Sequence, residues 1–195
     1  FNYSFPDHFW PVLADVLQAT DAVQAFRSES YFSLLRNYRR HGWIVLYLFG
    51  NSPALCPSFL QGRKVDGLEP LAPGSLYAPY ATSLRMSDLG YRNKSQAGLN
   101  VSVNSLDQYV RDLTAAISTP NPDYEKIGVK VDDEYRQLNA NILQIENEYY
   151  SFIRPKRVTQ SGERPTRALQ RAGVQYVEMR SLDASIFDPV GVNQN

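Results

Sequence analysis

The sequence predicts an α+β fold, an antiparallel sheet with helices. Apolar residues recur at helical spacing through the first part of the chain and alternate with polar ones in the last third. The two periods do not take turns along the chain, as a parallel β-α-β arrangement would require.

The elements follow in order. Phe1-Asn2-Tyr3-Ser4-Phe5 alternates in the manner of a strand already running at the first residue. From Pro11 to Phe26, Val12, Leu13, Val16, Leu17, Val23 and Phe26 keep helical spacing, and Pro11 suits a first helical turn, so one amphipathic helix is expected. A second is expected after Ser28 or Ser30, either of which suits an N-cap, carrying Tyr31, Phe32, Leu34, Leu35 and Tyr38 toward the apolar run after Gly42, with Gly50 as terminator. Residues 51–80 hold Pro53, Pro57, Pro70, Pro73 and Pro79 with Gly62, Gly67 and Gly74, a density expected to forbid regular structure over most of that length. A third helix is expected from about Ser105 to Ser118, striped by Leu106, Tyr109, Val110, Leu113 and Ile117, with Pro120 beyond it. Leu143 to Tyr150 then reads as a strand with Leu143, Ile145 and Tyr149 on one face and Glu146, Glu148 and Tyr150 on the other. A short helix from Pro165 or Thr166 ends at Gly173. Val174 to Leu182 is again strand-like, setting Tyr176, Glu178 and Arg180 against Val177 and Met179.

Composition excludes several function classes. With 20 Lys+Arg against 20 Asp+Glu in 195 residues, the net charge is zero, so neither nucleic acid nor an anionic membrane is an expected partner by bulk electrostatics. The 43% apolar and 21% charged residues suit a folded domain. Cys56 is the single cysteine, which rules out an internal disulfide or thiolate cage and points to a reducing, cytoplasmic setting. The longest apolar run, Trp43 to Phe49, is far below the roughly 20 residues of a membrane span. With no Met and no signal segment at its start, the chain is expected to be part of something longer.

Neither G-x-G-x-x-G after a strand nor G-x-x-x-x-G-K-[ST] occurs, and the two histidines, His8 and His41, lend no support to a Ser-His-Asp arrangement. Arg154, Lys156, Arg157, Arg164, Arg167 and Arg171 form a basic cluster opposed only by Glu163, read either as a solvated face or as a polyanion site. Glu178 and Arg180 on one strand face are either a structural ion pair or a phosphoryl-transfer site, the carboxylate holding Mg²⁺ and the guanidinium neutralising developing charge. Glu146 and Glu148, on one face, either ligate a hard cation or orient basic partners, or mark an ordinary solvent-facing strand.

Four stretches resemble the glutamate–cysteine ligase family of proteobacterial type, also called γ-glutamylcysteine synthetase: RNYRRHGWIVLYLFGNSPALCPSFLQG at 36–62, YATSLRMSDLGYRNKSQ at 80–96, LQIENEYYSFIRPKR at 143–157 and YVEMRSLD at 176–183. The resemblance implies a fold like the catalytic domain of glutamine synthetase. It implies an ATP-dependent ligase that joins L-glutamate to L-cysteine through γ-glutamyl phosphate, the first step of glutathione biosynthesis. It further implies that residues 1–195 are the central fragment of a single catalytic domain, lacking N- and C-terminal parts and inactive alone. A metal-binding histidine is expected immediately before Phe1. Carried over, Glu178 is a ligand of Mg²⁺ (or Mn²⁺), and Arg180 contacts the transferring phosphoryl group. Arg85, Tyr91 and Tyr150 receive cysteine, Arg85 pairing with its carboxylate, and IRPKR supports the nucleotide region. The alternatives are another ATP-dependent carboxylate–amine ligase and a non-catalytic polyanion-binding module. Because the acyl phosphate must be kept from water, segment 51–80 is assigned a lid role.

Overall fold

The computed structural model describes residues 1–87, 89, 96 and 98–192. In chain order the elements are β1 (Asn2–Tyr3), α1 (Phe9–Val16), α2 (Val23–His41), α3 (Trp43–Phe49), β2 (Ala54–Leu55), β3 (Glu69–Ala72), β4 (Ser75–Tyr77) and α4 (Leu106–Ala116). They continue as α5 (Pro122–Ile127), β5 (Lys130–Val131), β6 (Glu134–Tyr135), β7 (Ile153–Lys156), α6 (Pro165–Ala172) and β8 (Tyr176–Met179). All sheet pairing is antiparallel among these strands, as the α+β expectation requires. The chain divides into two units, Phe1–Arg39 with Lys94–Met179, and Arg40–Asn93 with Arg180–Asn195.

In the first unit the sheet runs β1-β8-β7, with β8 central. Val177 faces Tyr3 and Pro155 across the ladder, and its neighbour Glu178 faces Asn2 and Arg154. The pleat therefore sends Val177 into a core shared with Ile153, Leu35, Phe32, Tyr31, Leu113, Leu143 and Leu169, and turns Glu178 to the other face. Helix α4 packs on α6 and buries Tyr109, Val110 and Leu113, the stripe the sequence marks, and Ser105 caps it by accepting a hydrogen bond from the Gln108 amide.

Three expectations in this unit are corrected. The helix expected over Pro11–Phe26 ends at Val16, where Gln18 takes φ +52°, and α2 starts at Val23. No break occurs at Ser28 or Ser30, because the Ser28 hydroxyl bonds back to the Gln24 carbonyl at 3.0 Å and accepts the Val174 amide at 3.1 Å, absorbing a residue that would otherwise favour a cap. The strand expected over Leu143–Tyr150 is instead a 3₁₀ turn at Glu146–Glu148. The Glu148 carboxylate accepts the Gln144 amide at 2.7 Å and the Glu148 amide bonds the Ile145 carbonyl at 3.1 Å, so backbone groups are satisfied locally rather than by a neighbouring strand.

In the second unit, α3 ends before Gly50 as expected and exposes Trp43, Tyr47, Leu48 and Phe49. Most of segment 51–80 is irregular, as expected, but within it β2-β4-β3 form a small three-stranded sheet. The prolines and glycines serve it. Pro70 stands in β3, an edge strand that can spare an N–H, and Pro73-Gly74 makes the turn to β4 with Gly74 at φ +76°.

Candidate active site

Strand β8 ends at Met179, short of the Leu182 expected; Ile153 opens β7 opposite Met179, and the Met179 amide bonds the Phe1 carbonyl. Glu178 is thus the last acidic residue on the ladder, and Arg180 lies beyond it. The register places Arg154 directly opposite Glu178. Arg154 Nε and Nη2 both donate to Glu178 Oε2, at 3.0 and 2.7 Å, while Nη1 donates to the carbonyls of Tyr149 (3.0 Å) and Asn147 (3.3 Å). The guanidinium is buried at 9% side-chain exposure, and the Glu178 side chain keeps 26%. A fixed cation holds a half-open carboxylate in one place, as carboxylate ligands of metals are held by outer partners.

A second cluster forms in the other unit. Asp183, with 3% side-chain exposure, accepts the Asn51 amide (3.0 Å) and the Ser52 hydroxyl (2.7 Å) on Oδ2, and the Ser83 hydroxyl (3.1 Å) on Oδ1. Arg85 lies in the 3₁₀ turn Leu84–Met86, donates Nη1 to the Leu182 carbonyl at 2.7 Å and stands 3.9 Å from Asp183 Oδ1.

Of the remaining expected residues, Tyr150 is half-buried, its amide donating to Gln96 Oε1 at 3.0 Å. Arg180 is half-buried. Tyr91 lies outside the described residues. Glu146 and Glu148 do not share a face, because Glu146 is buried and caps α6 by accepting the Thr166 amide (2.8 Å) and hydroxyl (2.7 Å). Three of the six residues of the basic cluster are engaged internally, while Arg164 and Arg167 are exposed. Arg154 serves Glu178, Arg157 donates to the Gly173 carbonyl, and Arg171 donates to both oxygens of Glu163, whose carboxyl it holds down at about 2 with help from the Gln160 amide. His8 and His41 are exposed.

Mg²⁺ asks for near-octahedral oxygen coordination. Among the described residues no three of His, Cys, Asp and Glu gather to hold a metal ion, so these residues form no cage of their own, and Glu178 fits as one ligand. No helix among the described residues is long and apolar enough to cross a membrane. Sequence reasoning assigned no individual role to Arg154 or Asp183. Strand register alone would have paired the first with Glu178, while the second offered no signal beyond its place in YVEMRSLD.

The chain matches the glutamate–cysteine ligase family over residues 1–195. It belongs to that family. It is 57% identical to the glutamate–cysteine ligase of Alcanivorax borkumensis over 199 residues, covering 100% of this chain and 38% of that protein. The Shewanella oneidensis enzyme is 57% identical over 193 residues, covering 98% of this chain and 37% of its own length. Among solved structures, the Francisella tularensis glutamate–cysteine ligase in complex with AMP superposes with a TM-score of 0.87 at 41% identity, over 99% of this chain and 37% of that one. The chain thus spans well under half the length of these relatives.

Proposed function

We propose that this chain carries part of the active site of an ATP-dependent ligase that forms γ-glutamylcysteine from L-glutamate and L-cysteine. The observation that carries the reading is the match to this family from the first residue to the last, with a neighbour of TM-score 0.87 that binds AMP. In the reaction, a γ-carboxylate oxygen of glutamate attacks the terminal phosphorus of ATP and ADP departs. The amine of cysteine then attacks the acyl carbon and phosphate departs.

Such a transfer needs little covalent help from the protein and depends on positioning and charge stabilisation. Mg²⁺ or Mn²⁺, when bound, neutralises phosphate oxygens, and Glu178 supplies one of its ligands. Arg154 supports that role by holding Glu178 Oε2 with two donors. Arg180 supplies a cation toward the transferring group. Arg85 is the partner of the cysteine carboxylate, a task suited to a planar fork anchored at Nη1. Tyr91 and Tyr150 complete the cysteine-binding set, and the setting is the cytoplasm.

The test is product formation by the full-length protein with ATP, Mg²⁺ and glutamate, offering cysteine against other small amino acids as acceptors. γ-Glutamylcysteine as the dominant, ATP-dependent product is expected. Preference for another acceptor would replace this assignment with that of a different carboxylate–amine ligase.

A further inference from the structure

We propose that Asp183 is a positioning residue for Arg85, and through it for recognition of the acceptor's α-carboxylate. This rests on the reading that Arg85 meets the cysteine carboxylate.

The Asp183 side chain is 3% exposed, and a carboxylate so withdrawn from water is costly unless donors surround it. Its donors come from two separate stretches: Asn51 and Ser52 on one, Ser83 on the other. Those stretches are also joined by backbone bonds, the Ser52 amide to the Thr82 carbonyl at 3.2 Å and the Leu84 amide to the Ser52 carbonyl at 2.7 Å. Asp183 therefore fastens the base of the turn that carries Arg85.

It also acts on Arg85 more directly. The Leu182 carbonyl accepts a hydrogen bond from Nη1 at 2.7 Å, and the charge of Asp183 lies 3.9 Å from the same nitrogen. The carbonyl acceptor and the anion are contributed by consecutive residues, so one backbone segment anchors the Nη1 end of the guanidinium. Orientation matters for this task, because a guanidinium matches a carboxylate bidentately only when their planes align. Arg85 retains 33% side-chain exposure, enough to present an edge outward.

The test uses the full-length protein and two acceptors, cysteine and cysteamine, which is cysteine without its carboxylate. Asp183→Ala is expected to raise the KM for cysteine about tenfold, the scale of one hydrogen bond to a charged group. The KM values for glutamate and ATP should stay near those of the parent, and the preference for cysteine over cysteamine should fall. In the Arg85→Ala background the same substitution should change the cysteine KM little further, since its target is gone. Asp183→Asn keeps an oxygen acceptor and should restore part of the preference. Where the alanine variant fails to fold, the asparagine variant and Ser83→Ala are read by the same ratio. An unchanged cysteine-to-cysteamine preference in folded variants, or effects of Asp183→Ala and Arg85→Ala that simply add, would overturn the proposal. Failure of the unsubstituted protein to couple ATP cleavage to any cysteine product would instead remove the function on which it rests.

Discussion

Replacing Arg154 by Met should loosen the β7–β8 ladder far more than an ordinary surface substitution. Arg154 makes four hydrogen bonds from one buried guanidinium, two to Glu178 Oε2 and two to backbone carbonyls. Removing one partner of a buried pair costs about 3–5 kcal/mol, because the other charge loses that partner where water replaces it poorly. Glu178 retains 26% side-chain exposure, so water recovers part of the loss and the lower end, about 3 kcal/mol, applies. The local free energy of opening is read by amide hydrogen exchange in the full-length protein, using the ladder amides of β7 and β8. A loss of about 3 kcal/mol corresponds to exchange faster on the order of a hundredfold. Glu178→Leu on top of Arg154→Met should recover much of this, since no charge is then stranded. Exchange unchanged in Arg154→Met, or effects of the two substitutions that add, would refute the reasoning.

In the full-length protein, Arg180→Ala should lower turnover by roughly two to three orders of magnitude, the usual worth of one electrostatic contact to the transition state, as measured by phosphate release at saturating substrates. Arg85→Ala should raise the KM for cysteine more than that for glutamate in the same assay. Gly173→Ala should destabilise the first unit by about 2 kcal/mol, because φ is +66° and the new methyl would collide with the Ser28 hydroxyl that accepts the Val174 amide; thermal unfolding checks it. The depressed Glu163 carboxyl gives a pH signature. Its folded value lies below the ordinary 4.5, so its stabilising contribution is complete above about 4.5 and is lost as pH falls through about 2. Acid-unfolding curves of the parent and Glu163→Gln should therefore differ above that window and converge toward its lower end.

What the sequence made legible depended on whether the controlling contact was local. Helix α4 reads correctly because its apolar stripe, its Ser105 cap and its partner surface all follow one period. The break expected at Ser28 fails because the residue that keeps it helical, Val174, is far away in the chain. The strand expected at 143–150 fails because the Glu148 side chain and the Ile145 carbonyl satisfy backbone groups locally, and of Leu143, Ile145 and Tyr149 only Leu143 and Tyr149 are buried while Ile145 is exposed. Glu146, expected on the polar face, is drawn inward by Thr166. Among the candidate residues, the family motifs pointed to Glu178, Arg180 and Arg85, but the contacts of Glu178 with Arg154 and of Arg85 with Asp183 emerge only once register and turn geometry are known.

The Arg154–Glu178 pair is better explained by chemistry than by folding. A well-packed apolar pair of similar volume commonly stabilises a core as well as, or better than, a buried ion pair, so stability alone gives little reason to place these charges on β7 and β8. Their geometry is also unlike that of a pair serving only itself: both nitrogens that reach Glu178 converge on Oε2, and the third is spent on two carbonyls of the segment leading into β7. The guanidinium is immobilised from both sides, and the carboxylate it holds stays partly open to solvent. A carboxylate oriented in this way and left accessible is what the proposed role of Glu178 as a ligand of a hard cation would require. Arg154 and Arg171 of the basic cluster each lie against an acidic side chain of this chain, and the net charge of zero supplies no bulk cationic excess for a polyanion.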